Sequence, residues 1–351
     1  MTITTLQKYN EIKTSPHSPR TTRRPSLALS NETSTMFMAY TGEHSDYQGI
    51  WKVSGRRVWW VQSPSAGSPT SWTQNEPVEF GGSNPLPTQD DVAMVIYQGF
   101  PGIIVNWPLG IVAAWFDGNQ WTVDDTVPTA SHLSKGPKAP IAVVAKNVLH
   151  VFFEAGGMLN HLMRSAPPFT ITSANWTQQT TNLPVTPLSA TVADDGTILV
   201  LCSPQSNSGS QLLNYLVADP PDDPINWGSR MAAIEPAHDS PLPTNDAAIA
   251  TDILGTVNLV YRAHGKGKTL FFAATDPTDT STLQQLKTIP AQSLKLAPSF
   301  DVQIDHAGGK IQKAETQSAP CLYQGGRNMG FLAHQGASSN DIWFGVFADM
   351  S

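Results

Sequence analysis

Charge is scarce in this chain. Only 14% of its 351 residues are Asp, Glu, Lys or Arg, against roughly a quarter in an ordinary soluble domain. The balance is −7, which argues against a nucleic-acid backbone and against an anionic membrane surface as partners. Cysteine is nearly absent: Cys202 and Cys321 both sit inside apolar segments (LVLCS and APCLYQ) and read as buried free thiols rather than as a bridge. No apolar run approaches membrane-spanning length. The first residues, MTITTLQKYNEI, lack the apolar core of a signal peptide. The expected location is therefore cytoplasmic, or outside the cell by a route without a signal peptide, and the sequons at Asn31 and Asn175 read as coincidental. No stretch sustains a helical period. Nine histidines occur, but none forms H-x-H, H-E-x-x-H or a cysteine–histidine cluster, so neither a metal nor a cofactor is expected.

Turn formers and tryptophan are plentiful: 28 Pro, 26 Gly and 10 Trp. Residues 136–184 show how they are used. Apolar runs Ile141–Ala145, Leu149–Phe153 and Met158–Met163, then Asn175-Trp176-Thr177-Gln178, are separated by turn residues; this is the pattern of four short strands. The unit recurs. Trp72, Trp121, Trp176 and Trp227 each open a last segment and fall 49, 55 and 51 residues apart. Four-stranded units at such a period are propeller blades, each needing neighbours to cover its faces. The pattern predicts an all-β, six-bladed β-propeller with four-stranded blades over residues 24–80, 90–128, 136–185, 187–236, 246–290 and 319–351.

Within blade one the strands are expected at Ser26–Leu29, Thr35–Tyr40, Gly49–Val53 and Ser71–Val78, with 55–69 inserted. Blade five is expected to end in Leu283–Ile289. Residues 291–318 interrupt the period and read as an inter-blade insertion, with a hairpin around His306–Gly309. Residues 13–23 read as a linker. Residues 1–12 share TLQ-x4-Ile with Thr282–Ile289, a fourth-strand position. They are expected to complete blade six and close the ring, which removes an exposed edge.

Blade one carries the closest match to a known repeat: Arg24-Pro25-Ser26-Leu27-Ala28-Leu29, then Met36-Phe37-Met38-Ala39-Tyr40-Thr41-Gly42, then Gln48-Gly49-Ile50-Trp51, then Trp72. Blade six repeats it in Phe331–Gly336 and Asp341-Ile342-Trp343. This resembles the fungal and bacterial lectin-like (sialidase-like) β-propeller repeat proteins, and the resemblance implies sugars held between blades or at blade edges. Asp117-Gly118-Asn119-Gln120-Trp121 and Asp195-Gly196-Thr197 are similar to the aspartate-box turn of sialidase propellers without completing it. No arginine trio like the sialidase carboxylate clamp stands out.

The acid pairs Asp90-Asp91, Asp124-Asp125, Asp194-Asp195 and Asp222-Asp223 are no ready acid/base couples, because adjacent strand residues face opposite ways, and most sit beside Gly or Pro and read as turn formers. No catalytic residue is assigned. His44, His264 and His334 follow the second strands of blades one, five and six, which are consecutive in a closed ring. With Asp46, Arg262 and Asp341 nearby, and Trp51 and Trp343 available for stacking on sugar C–H faces, they form the candidate ligand site. The periodic tryptophans read as core. The leading expectation is carbohydrate binding without catalysis. The alternative is a small-molecule enzyme, cyclase-like in natural-product chemistry, with one central or rim pocket; a third is a protein-interaction scaffold. The partner is then a glycan or small molecule, and an oligomer is left open.

Overall fold

The computed structural model describes residues 5–14, 18–43, 56–65, 71–80, 84–88, 90–107, 110–124, 127, 138–170, 175–205, 212–218, 231–252, 255–275, 293–306, 310–324 and 329–348. They form six small sheets arranged as a six-bladed β-propeller, with no α-helix among the described residues. From the centre outwards, blade one consists of Ser26–Ser30, Thr35–Glu43, Arg56–Ser63 and Thr73–Pro77. Blade two is Ala93–Tyr97, Phe100–Trp107, Gly110–Phe116 and Trp121–Asp124; blade three is Lys138–Ala145, Val148–Ala155, Met158–Arg164 and Trp176–Thr180. Blade four holds Val185–Val192, Ile198–Pro204, Asn214–Ala218 and Met231–Glu235, and blade five holds Pro243–Thr251, Val257–Ala263, Leu270–Ala274 and Phe300–Asp301. Blade six takes Cys321–Gln324, Met329–Gln335 and Ile342–Ala348, and Thr5–Glu11 completes it.

The closing strand is antiparallel to its neighbour, with Leu6 opposite Phe347 and Glu11 opposite Trp343. Leu6 is fully buried. The two chain ends are thus joined by main-chain hydrogen bonds and by a shared core.

The apolar runs are continuous rather than alternating because each strand feeds two cores. In blade three, Leu149, Val151 and Phe153 pack toward blade two, while Phe152 packs toward blade four. Each large apolar side chain so buried contributes about 1.5–3 kcal/mol. Trp72, Trp121 and Trp176 are buried, which is the structural meaning of the period; Trp227 lies outside the described residues.

Three strand assignments differ from the sequence expectation. Gly49–Val53 lies outside the described residues, and the third strand of blade one is Arg56–Ser63, the segment read from sequence as an insertion. Leu283–Ile289 also lies outside them, and the fourth strand in the blade five sheet is Phe300–Asp301. Residues 291–318 do not stand apart as one insertion. Leu294–Lys295 runs parallel to the outer strand of blade four. Gln303–His306 and Lys310–Lys313 pair as the expected hairpin, which extends blade six beyond the closing strand. Short irregular pairings of this kind leave no periodic trace.

Blade one and blade six share a close approach that explains a glycine in each. A Cβ on Gly42 would lie 2.6 Å from Trp59 Cδ1, and one on Gly336 would lie 2.9 Å from Trp343 Nε1. Trp59 faces Tyr40 across the strands as Trp343 faces His334. The residue of blade one that occupies the place of Trp343 is therefore Trp59, where the sequence reading put Trp51.

Candidate functional site

The six innermost strands run in the same direction around the ring. Ser189 Oγ accepts from the Ile249 N–H (3.2 Å), and Thr191 Oγ1 accepts from the Thr251 N–H (3.1 Å), so neighbouring blades stay in step. At one end of the ring the first strands begin and the second strands finish. We call this end the mouth.

A threonine recurs there. Thr21 Oγ1 donates to the Thr41 carbonyl (2.9 Å) and accepts from the Arg23 N–H (3.0 Å). Thr244 Oγ1 donates to the Arg262 carbonyl (2.8 Å) and accepts from the Asp246 N–H (3.2 Å). Thr316 Oγ1 likewise donates to the Gln335 carbonyl (2.9 Å) and accepts from the Ser318 N–H (3.3 Å). In blade two, Thr88 accepts from the Asp90 N–H (3.4 Å) and donates to Asn106 Oδ1 (3.1 Å). Each hydroxyl makes a side-chain turn to the residue two places on. In blades one, five and six it also ties that turn to a carbonyl within the last three residues of the second strand. Arg23, Asp90, Asp246 and Ser318 occupy the equivalent place, one per blade.

The result is a ring of ion pairs at the mouth. Arg23 meets Asp90 at 3.3 Å, Arg24 meets Asp91 at 3.4 Å, Arg262 meets Asp246 at 2.6 Å and Arg20 meets Asp341 at 3.0 Å. Arg24 is the buried member. Its main-chain N–H also donates to Asp91 (3.2 Å), and its Nη1 donates to the Leu188 carbonyl of blade four, opposite blade one in the ring. The guanidinium thus crosses the axis. Beneath it lies a cavity of about 580 Å³, lined by the innermost strands through residues such as Ser26, Val95, Ala142 and Thr191, with Glu32 and Asp194 toward its far end. Burial raises the Asp246 carboxyl above its usual range; Arg262 opposes this, the charge of Asp91 adds to it, and Arg24 opposes it. The charges of Asp91 and Arg24 thus both reach Asp246.

The residues named from sequence are placed as follows. Arg262 is at the mouth, with Nη1 donating to the Gln317 carbonyl (3.1 Å) as well as pairing Asp246. Asp341 is there, bound to Arg20. His264 is exposed in the turn after the second strand of blade five. His334 is fully buried inside blade six, its Nδ1 2.9 Å from the Gln335 carbonyl, and burial lowers its pKa to about 4. Trp343 is half-buried over Gly336. His44, Asp46 and Trp51 lie outside the described residues. The sequence reading missed Arg24, Asp91 and Asp246. The acid pair had been assigned to turns, and no arginine trio like the sialidase clamp stood out, although four arginines converge here. The detectable signal was the recurring threonine in Thr21-x-Arg23, Thr88-x-Asp90, Thr244-x-Asp246 and Thr316-x-Ser318. The turn at Asp117 does form, its Oδ1 accepting from the Asn119 and Gln120 N–H groups at 2.7 and 2.8 Å. Cys202 and Cys321 are both free thiols.

No protein-family model and no curated protein matches the chain. Solved structures do. An α-L-arabinanase from Penicillium chrysogenum, complexed with arabinobiose, superposes with a TM-score of 0.65 at 14% identity over 98% of both chains. An α-L-arabinofuranosidase from Fusarium graminearum gives 0.62 at 12% identity, covering 97% of this chain and 98% of that one. A sialidase from Streptococcus pneumoniae gives 0.60 at 9%, covering 97% of this chain and 71% of the other. The fold is thus that of the sialidase-like and arabinanase propellers. The same finding corrects the expected function. These neighbours are glycan-cleaving enzymes, so they overturn the reading of a lectin without catalysis, and they equally fail to support the natural-product cyclase.

Proposed function

We propose that this chain is a carbohydrate-processing enzyme that cleaves glycosidic bonds at the mouth of the ring. The observation that carries the reading is the gathering of two arginine-bound carboxyls at the mouth, Asp246 on Arg262 and Asp91 on Arg24, with burial raising the Asp246 carboxyl. Glycoside hydrolysis needs one carboxyl that holds its proton near working pH and a second that stays ionised. Burial favours the first role for Asp246, which protonates the departing oxygen. Asp91, bound to Arg24, is the second carboxyl, placed to stabilise positive charge on the sugar ring or to activate water. The arabinanase, arabinofuranosidase and sialidase neighbours supply the substrate class by analogy of fold.

The test is release of free sugar from a panel of aryl glycosides and arabino-oligosaccharides. Asp246→Asn should slow turnover by roughly 10²–10⁴-fold, and more for poor leaving groups than for activated aryl ones, since activated groups depart without a proton. Absence of release from every substrate by the folded wild-type protein would refute the reading.

A further inference from the structure

Resting on that reading, we infer that the sugar bound at the mouth is electrically neutral and carries no carboxylate. The four arginines gathered there are matched one to one by aspartates: Arg20 by Asp341, Arg23 by Asp90, Arg24 by Asp91 and Arg262 by Asp246. No guanidinium of these four pairs is in surplus, and the exposed ammonium of Lys268 nearby donates to the Ala337 carbonyl. The two innermost guanidiniums are further committed to main-chain carbonyls, Arg24 to that of Leu188 and Arg262 to that of Gln317. A carboxylate-bearing sugar needs a guanidinium fork to itself. Here it would have to displace an aspartate, leaving two carboxylates competing for one arginine in a partly buried site. A neutral sugar meets no such conflict. Its hydroxyls donate to the outer oxygens of the aspartates and accept from the remaining arginine N–H groups, so both halves of each pair serve without any change in charge. The net charge of −7 works in the same direction at long range.

Two experiments test this. In the first, the purified chain is offered neutral aryl pentosides and hexosides beside an aryl sialoside and an aryl glucuronide. Neutral substrates should be preferred by at least about tenfold; equal or better turnover of a charged one overturns the inference while leaving hydrolysis standing. If nothing is turned over, the hydrolase reading fails. The inference is then decided by calorimetric titration at low salt, with neutral arabino-oligosaccharides against oligogalacturonate and sialyllactose. Binding of the neutral class alone supports it, and binding of the charged class, or of neither, sinks it. In the second experiment, Asp341→Asn releases Arg20. Affinity for oligogalacturonate should rise on the order of threefold and fall again with added salt. No gain in a variant with wild-type melting behaviour means that charge balance is not what discriminates.

Discussion

Two arginine–aspartate pairs in this molecule use the same chemistry for opposite ends. Arg164 and Asp124 lie 2.6 Å apart with side chains wholly shut from solvent. They sit at the end of blade three away from the mouth, where Arg164 is opposite Leu149 while Ala155 is opposite Met158 at the other end. Every nitrogen of that guanidinium is used: Nη1 on Asp124, Nε on the Ala166 carbonyl, and Nη2 on those of Pro167, Pro168 and Thr170. The guanidinium carbon lies 5.8 Å from the centre of the Trp115 ring and 5.2 Å from that of Trp176, and Trp176 Nε1 donates to the same Asp124 oxygen at 3.2 Å. At the mouth, Arg262 and Asp246 are as close, yet each keeps about a quarter of its side chain in solvent (28%/28%). A saturated, enclosed pair can only hold a loop in place. A partly open one keeps donor and acceptor positions turned to solvent. Under the proposed function, exposure rather than residue type separates the two pairs.

Breaking the enclosed pair should have the largest effect. Arg164→Met leaves Asp124 buried without its cation and releases the 165–170 loop. A loss of about 3–5 kcal/mol in urea unfolding is expected, large against the marginal stability of a domain. If stability hardly changes, the pair is not the clamp described. Asp246→Asn should do the converse, slowing turnover by the roughly 10²–10⁴-fold given above while moving the unfolding midpoint little. A large drop in stability would make Asp246 a structural residue like Asp124.

A middle-sized effect sharpens how the mouth is built. Thr244→Val removes the hydroxyl that ties Asp246 to the end of the second strand and should cost about 0.5–1.5 kcal/mol. It should also shift the Asp246 titration, followed by carboxyl NMR, whereas Thr244→Ser keeps the hydroxyl and should behave as wild type. Identical titrations in all three proteins would remove the positioning role.

Acidification provides another contrast between enclosed and open groups. His150 and His161 stack at the interface of blades three and four, with Nδ1 and Nε2 3.0 Å apart. Burial lowers their pKa values to about 4 and about 3, and that of His334 to about 4. Their folded values lie below the ordinary 6.5, so the unfolded chain binds more protons in between. Their contribution to stability is present above about pH 6.5 and is lost as pH falls toward 4. The raised Asp246 acts oppositely, favouring the folded state at low pH. Melting temperature should decline from pH 6.5 to 4, and His161→Leu should flatten the decline; a flat wild-type profile would contradict the account. The smallest effect belongs to Arg20→Ala. Its side chain is 72% exposed, and the change should cost at most about 1 kcal/mol.

How much of this was legible beforehand follows from distance along the chain. Strand-scale features were local and could be read: the buried tryptophans, the paired glycine turn before Met158, the N-terminal strand. The mouth was not local. Arg24 meets Asp91 67 residues away and Leu188 164 residues away, and neither separation leaves a mark on composition or period. Asp90-Asp91 looked like a turn because it is one; the structure adds that the turn faces an arginine from the next blade. Arg262 was found because it closes a strand whose pattern was visible. Trp51 was put in the place of Trp343 because Gly49-Ile50-Trp51 imitates the third strand of blade six, while the register gives that place to Trp59.

The pairing of Thr5–Glu11 with Ile342–Ala348 has a bearing on how the protein is made. The strand leaves the ribosome early and its partner late, so five blades can assemble during synthesis while the sixth waits for Ile342–Ala348 to emerge. Contacts this remote in sequence form slowly. Until the clasp shuts, the edges of blades one and five stay open to other nascent chains. A permuted gene that joins the two ends and opens the ring at another loop would let blade six form as one hairpin array, and its yield of soluble protein would report how much of the folding time the clasp consumes.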